Sequence, residues 1–121
     1  MRALPILLLL LTTQAFAQTP PAEFPADAAP LAAGALQDRL NGKVYSVKPA
    51  DGSEWRWEFK SGGTFFINIG SFSDYGKWRV EDSKLCSDGR KIKASCNEIR
   101  QRGSALLLKR DSGEIVEMAP L

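Results

Sequence analysis

Ser53 to Lys60 reads SEWRWEFK, with Trp55, Trp57 and Phe59 alternating against Glu54, Arg56, Glu58 and Lys60. Apolar and charged side chains that change places at every residue fit a strand with one face on a core and the other in water. No helix could place these three rings on a single face. Downstream, Thr64 to Ile69 continues the period of two with Phe65, Ile67 and Ile69, and Tyr75 to Glu81 turns Trp78 and Val80 inward and Lys77 and Arg79 outward. Glycine-marked turns at Gly52, Gly62-Gly63, Gly76, Gly89, Gly103 and Gly113 recur every 10 to 14 residues, the punctuation of successive hairpins.

Further strands are expected at Lys43 to Lys48, Lys84 to Ser87, Ile92 to Ile99, Ala105 to Arg110 and Glu114 to Met118. The connections are too short for crossover helices, so the strands should run antiparallel in sequence order. The fold class is therefore all-β: a small antiparallel up-and-down meander forming a barrel or strongly curled sheet, with a two-sheet sandwich as the alternative. One short N-terminal helix is expected over Gly34 to Leu40, where Leu36 and Leu40 stand four apart and Asn41-Gly42 supplies a stop. Strands this short predict an interior filled by Trp55, Trp57, Phe59, Phe65, Trp78, Leu106 and Leu108 themselves.

Ahead of the domain, Arg2 precedes the unbroken apolar run Ile6 to Leu11, and Ala15-Phe16-Ala17 carries small residues at both positions of a cleavage site. This is the pattern of a secretory signal peptide over residues 1–17, and the run is shorter than the roughly 20 residues that span a bilayer. Residues 18–33 (QTPPAEFPADAAPLAA) offer only Phe24 and Leu31 as large apolar groups, and are expected to form a flexible Pro/Ala-rich tether. Residues 34–121 form the β-meander domain. Export to the periplasm or the medium places Cys86 and Cys96, the only two cysteines, in an oxidising compartment, so a disulfide between them is expected.

Several chemistries are disfavoured by composition. The 121 residues contain no histidine, which removes His-based triads and most zinc catalysis. Sixteen Lys and Arg against 14 Asp and Glu is too even for a dedicated nucleic-acid binder. Glu54 and Glu58 share a strand face but stand about 13 Å apart, beyond the roughly 5 to 9.5 Å of a glycosidase pair. Asp51-Gly52, Asp88-Gly89 and Asp111-Ser112-Gly113 are turns, since none supplies the run of oxygen ligands of a calcium loop. No catalytic residue, metal ligand or cofactor is expected.

The order Trp57-x-Phe59, Gly62-Gly63, Gly76-x-Trp78, Leu85-Cys86 and Cys96 resembles that of small exported bacterial domains of unknown function with a lipocalin-like meander. The resemblance covers about Leu40 to Met118 and implies a curled antiparallel barrel and export, with no established activity. The expected role is a non-enzymatic binding or structural module, monomeric and without a membrane span once its signal is removed. Its partner would be a protein or an anionic envelope component. Phe72, Asp74 and Tyr75, read as an irregular turn, together with Arg90, Lys91 and Lys93 in a basic hairpin, are the candidate contact surface. The alternative is a carrier of a small apolar ligand in a pocket of about 300 Å³ or more, lined by Trp55, Trp57 and Trp78.

Overall fold

The structure is a computed structural model that describes residue 3 and residues 23–121. The cleavage site and nearly all of the expected signal peptide lie outside the described residues, as do the first residues of the tether. Nine strands and one helix follow in chain order: β1 (Ala29–Pro30), α1 (Ala33–Leu40), β2 (Lys43–Val47), β3 (Trp55–Phe59), β4 (Thr64–Ile69), β5 (Phe72–Glu81), β6 (Lys84–Gly89), β7 (Ser95–Arg102), β8 (Ala105–Lys109) and β9 (Ile115–Pro120). From β2 to β9 every strand pairs antiparallel with its successor, and β9 pairs back onto β2, with Tyr45 opposite Pro120 and Val47 opposite Met118. The result is a closed, eight-stranded up-and-down barrel, so the sandwich alternative falls away. Among the described residues no helix is long and apolar enough to cross a membrane.

The alternation along β3 survives in three dimensions. Trp57 and Phe59 are buried and Trp55 half-buried, while Arg56 stays exposed and pairs with Glu58 at 3.6 Å on the outer wall. Two-residue turns link β4 to β5, β5 to β6 and β7 to β8. In the first, Gly70 has φ +61°, a left-handed conformation that glycine adopts without cost and that matches the twist of paired strands. Asp82 takes the equivalent place in the second at φ 52°, within the small set of residues that tolerate it.

Strand β5 begins at Phe72, so the expected irregular turn over Ser71 to Tyr75 is instead regular strand after a Gly70-Ser71 turn. A tight turn with glycine at its first position suffices to reverse the chain, which leaves the next residues free to pair. Midway along β5 the sheet is pinched. Gly76 lies opposite Gly89, and a Cβ on Gly76 would stand 2.0 Å from the carbonyl oxygen of Asp88.

Helix α1 packs against β2 and β5 and stops up one end of the barrel with Leu36 and Leu40, both fully buried. Beneath them lie Tyr45, Phe59 and Trp78, with Phe59 edge-on to Tyr45 at 6.1 Å and to Trp78 at 5.6 Å between ring centroids. The polar tips of this plug are satisfied. The Trp78 indole N–H donates to the carbonyl of Lys60 at 3.0 Å, and the Tyr45 hydroxyl donates to the carbonyl of Arg39. Burial pushes the Tyr45 phenol above its ordinary value, partly offset by the Arg39 charge. Arg39 in turn ties the helix to the β7–β8 turn by donating to Gln101 at 2.9 Å and to the carbonyl of Ser104 at 2.8 Å.

The C-terminal half of the stretch expected as a tether is laid on the domain. Ala29 and Pro30 pair with Gln101 and Arg100 of β7, and the Arg100 guanidinium stacks on the Phe24 ring at 4.6 Å. Pro30 lacks an N–H and so fits an outermost strand. Opposite Arg100, Leu107 is buried although its parity is outward.

Candidate functional site

The end of the barrel opposite α1 is open. It forms a cup of about 390 Å³ bounded by the β4–β5 turn, the 90–94 loop and the β8–β9 turn. Strand β3 acts as a depth gauge: Trp55 stands at the mouth, Trp57 forms the wall below it, and Phe59 belongs to the plug. Trp57 meets Trp55 edge-on at 6.3 Å and Phe65 edge-on at 6.3 Å, and Ile67 and Ile69 of β4 complete the apolar side. The opposite side is polar. Ser87, Ser95 and Asn97 occupy inward positions of β6 and β7, where Leu85 and Ile99 fill the same face deeper in the barrel.

Asn97 sits where the wall splays. Strands β7 and β8 pair from Ile99–Leu108 to Arg102–Ala105 and no further. Beyond that point the Asn97 amide donates to the carbonyl of Lys109 at 3.0 Å and to Asp111 at 2.9 Å, a side chain standing in for the missing ladder. Ser95 donates to Asn97 Oδ1 at 3.0 Å, which orients the amide. At the rim Arg110 lies over the Trp55 ring, its Cζ 4.9 Å from the centroid, and pairs with Glu114 at 2.8 Å. Glu114 also accepts from the amide of Ala50 at 2.9 Å. The Ala50 amide and then the Arg110 guanidinium hold the Glu114 carboxyl below its ordinary value, so this corner of the mouth is fixed.

Strand parity divides the expected contact surface into three parts. Phe72 points inward and lines the cup while remaining 38% exposed, with the Lys91 ammonium 5.3 Å from its centroid. Tyr75 points outward, is 52% exposed, and its hydroxyl accepts from Arg90, whose guanidinium lies over the ring. Asp74 is only 2% exposed and is no contact residue. Its Oδ2 accepts from the amides of Lys91 at 3.1 Å and Ile92 at 2.8 Å, clipping the 90–94 loop to the barrel. Burial works to raise the Asp74 carboxyl, but the amides of Ile92, Lys91, Tyr75 and Arg90 outweigh it and leave the group below its ordinary value. Glycine at position 89 leaves room for the clip, since a Cβ there would stand 2.3 Å from Asp74 Oδ2. The clipped loop brings Ile92 and Lys93 into the cup lining.

Of the three tryptophans expected around a pocket, Trp55 and Trp57 line the cup and Trp78 does not, because its indole is anchored to Lys60 in the plug. The expectation of an interior filled throughout therefore holds at the helix end and fails at the other. Ser87, Ser95, Asn97 and Arg110 were not singled out from the sequence. For the first three the signal was polar residues at inward parity on either side of a turn, in Leu85-x-Ser87 and Ser95-x-Asn97-x-Ile99.

Cys86 and Cys96 lie directly opposite each other on β6 and β7 and are joined by a disulfide. The bridge sits on the outer face, one residue from the Ser87–Ser95 pair, and staples the base of the 90–94 loop. The Glu81 carboxylate approaches both sulfurs, but sulfurs bonded to each other offer a metal no thiolate. Beyond the basic hairpin, the neighbouring cations are taken up on the outer wall: Arg100 pairs with Glu98 at 3.3 Å and Arg102 with Glu117 at 3.5 Å. One buried donor is left over. Trp57 lines the cup and is 7% exposed, and its indole nitrogen has no hydrogen-bond partner among the described residues.

Comparison of the chain with protein families, with curated proteins and with solved structures gives no match.

Proposed function

We propose that the protein is an exported, monomeric, non-enzymatic binding module of lipocalin-like design that takes a small, largely apolar molecule in the open end of its barrel. The cup carries this reading. A volume of about 390 Å³ falls within the roughly 300–1,000 Å³ typical of small-molecule sites, and its apolar wall faces a few convergent polar groups, the usual make-up of such sites. Trp55, Trp57 and Phe65 add support, because they give the cup an aromatic wall against which an apolar guest can bury its surface. Export is supported by the leader pattern and by the cystine, which an oxidising compartment sustains.

Binding of a neutral environment-sensitive naphthalene dye, followed by its emission, tests the reading. An Ile69→Trp variant fills the mouth from a half-buried position. Dye binding by the native protein that is lost in Ile69→Trp, with an unchanged far-UV spectrum and Tm, is the expected result. Dye binding indifferent to the filled mouth would overturn it.

A second, outer surface fits the partner-contact reading. Tyr75, exposed and braced by Arg90, offers an aromatic and a cation side by side to a protein or anionic envelope component. Recovery from envelope extract that falls with Tyr75→Ala supports this surface, and equal recovery removes it.

A further inference from the structure

We infer that the occupant of the cup is a small aromatic carboxylate, its ring against the Trp57–Phe65 wall and its carboxylate toward Lys93. The inference rests on the reading of the cup as a binding site and adds its chemistry.

Charge complementarity supplies the head group. Arg110 and Asp111 at the rim are both engaged, the first by Glu114 and the second by the Asn97 amide. Lys93 lines the cup and, among the described residues, has no ion-pair partner, and neither has Lys91 beside it on the clipped loop. Lys91, Lys93 and Arg110 stand against Asp51, Asp111 and Glu114 round the mouth, so the head-group contact is assigned to Lys93 as the cup-lining cation without an ion-pair partner among the described residues. The Ser87 hydroxyl, also in the cup lining, can donate to an anionic oxygen, whereas that of Ser95 is already given to Asn97.

The walls supply the body. Trp55, Trp57, Phe65 and Phe72 present four rings to the space, and Trp55 is held flat beneath Arg110. Rings already meeting edge to face at 6.3 Å favour a further flat aromatic in offset or edge-on contact. A polar side formed by β6 and β7 facing an apolar side formed by β3 and β4 suits a guest with one oxygen-bearing edge.

The test uses naphthoate and its near-isosteric neutral amide, naphthamide, titrated calorimetrically into the full mature chain. Naphthoate is expected to bind about fivefold more tightly than naphthamide at ~50 mM salt, the size of a partly exposed ion pair, with the preference shrinking at ~500 mM. Lys93→Gln should abolish the preference and Lys93→Arg should keep it, which separates a charge contact from a packing role. Equal binding of the two probes overturns the carboxylate assignment and leaves the cup reading standing. Tighter binding of decanoate than of naphthoate overturns the aromatic body, and failure of all three probes, with the neutral dye also unbound, overturns the cup reading itself.

Discussion

At the helix end of the barrel, Leu36 and Leu40 press onto Tyr45, Phe59 and Trp78, and every polar tip finds an acceptor. At the other end Trp55, Ile69 and Phe72 stand round open space with a donor unanswered below them. The same strands build both ends, so alternation alone does not decide whether an interior is filled. Two further features do. An eight-residue helix brings two leucines to one end, and among the described residues nothing comparable reaches the other. The inward positions of β6 and β7 also change from Leu85 and Ile99 to Ser87, Ser95 and Asn97 on approaching the mouth, which removes the apolar volume that would close it.

This contrast can be broken most forcefully at the plug. Phe59→Ala should cost about 3–5 kcal/mol, because the ring is wholly buried among rigid neighbours that cannot collapse onto the void. Urea unfolding monitored by tryptophan emission would measure it, and a loss under about 1 kcal/mol would mean that the plug does not carry the fold. Replacing both cysteines by serine should cost about 2–3 kcal/mol, given the ten-residue separation of the bridged positions. Amide exchange should then rise first in the 90–94 loop.

A smaller effect belongs to the clip. Because the Asp74 carboxyl is held below its ordinary value, its contribution to stability is complete above about pH 5 and is lost as pH falls through the lowered folded-state value. Asp74→Asn should therefore lower Tm at neutral pH, and the gap to the native protein should close towards pH 3. A gap independent of pH would assign the loss to packing rather than to charge. Smallest in stability is Phe72→Ala at the mouth, expected within about 0.5 kcal/mol of the native protein because the ring is partly solvated. Its effect should appear as several-fold weaker dye binding, with the result for Phe59→Ala as the structural control.

The barrel was legible in SEWRWEFK and in the spacing of the turns, since a period of two and short connections leave few topologies. The helix was legible from Leu36 and Leu40, and the cystine from compartment and parity. The site was less so. Reading Phe72 to Tyr75 as one exposed loop missed that a turn of only Gly70 and Ser71 puts Phe72 and Tyr75 on opposite faces and hides Asp74. Asp74 acquires its role from amides 17 and 18 residues away, a pairing that no local pattern encodes. Pro30 reads as tether because residues 18–33 offer so little apolar surface, yet β7 has an outer position that needs no proline N–H.

The pairing of β2 with β9 has a consequence for the order of events during folding. The ring joins its earliest full strand to its latest, so the cylinder cannot shut until Ile115–Pro120 has emerged. Up to that moment the chain is a row of local hairpins with two raw borders, quick to form because each needs only its neighbour. Within the ring the closure of β2 on β9 is the one long-range pairing of strands, and it is reinforced where the amide of Leu121 reaches the carbonyl of Val44 at 2.9 Å.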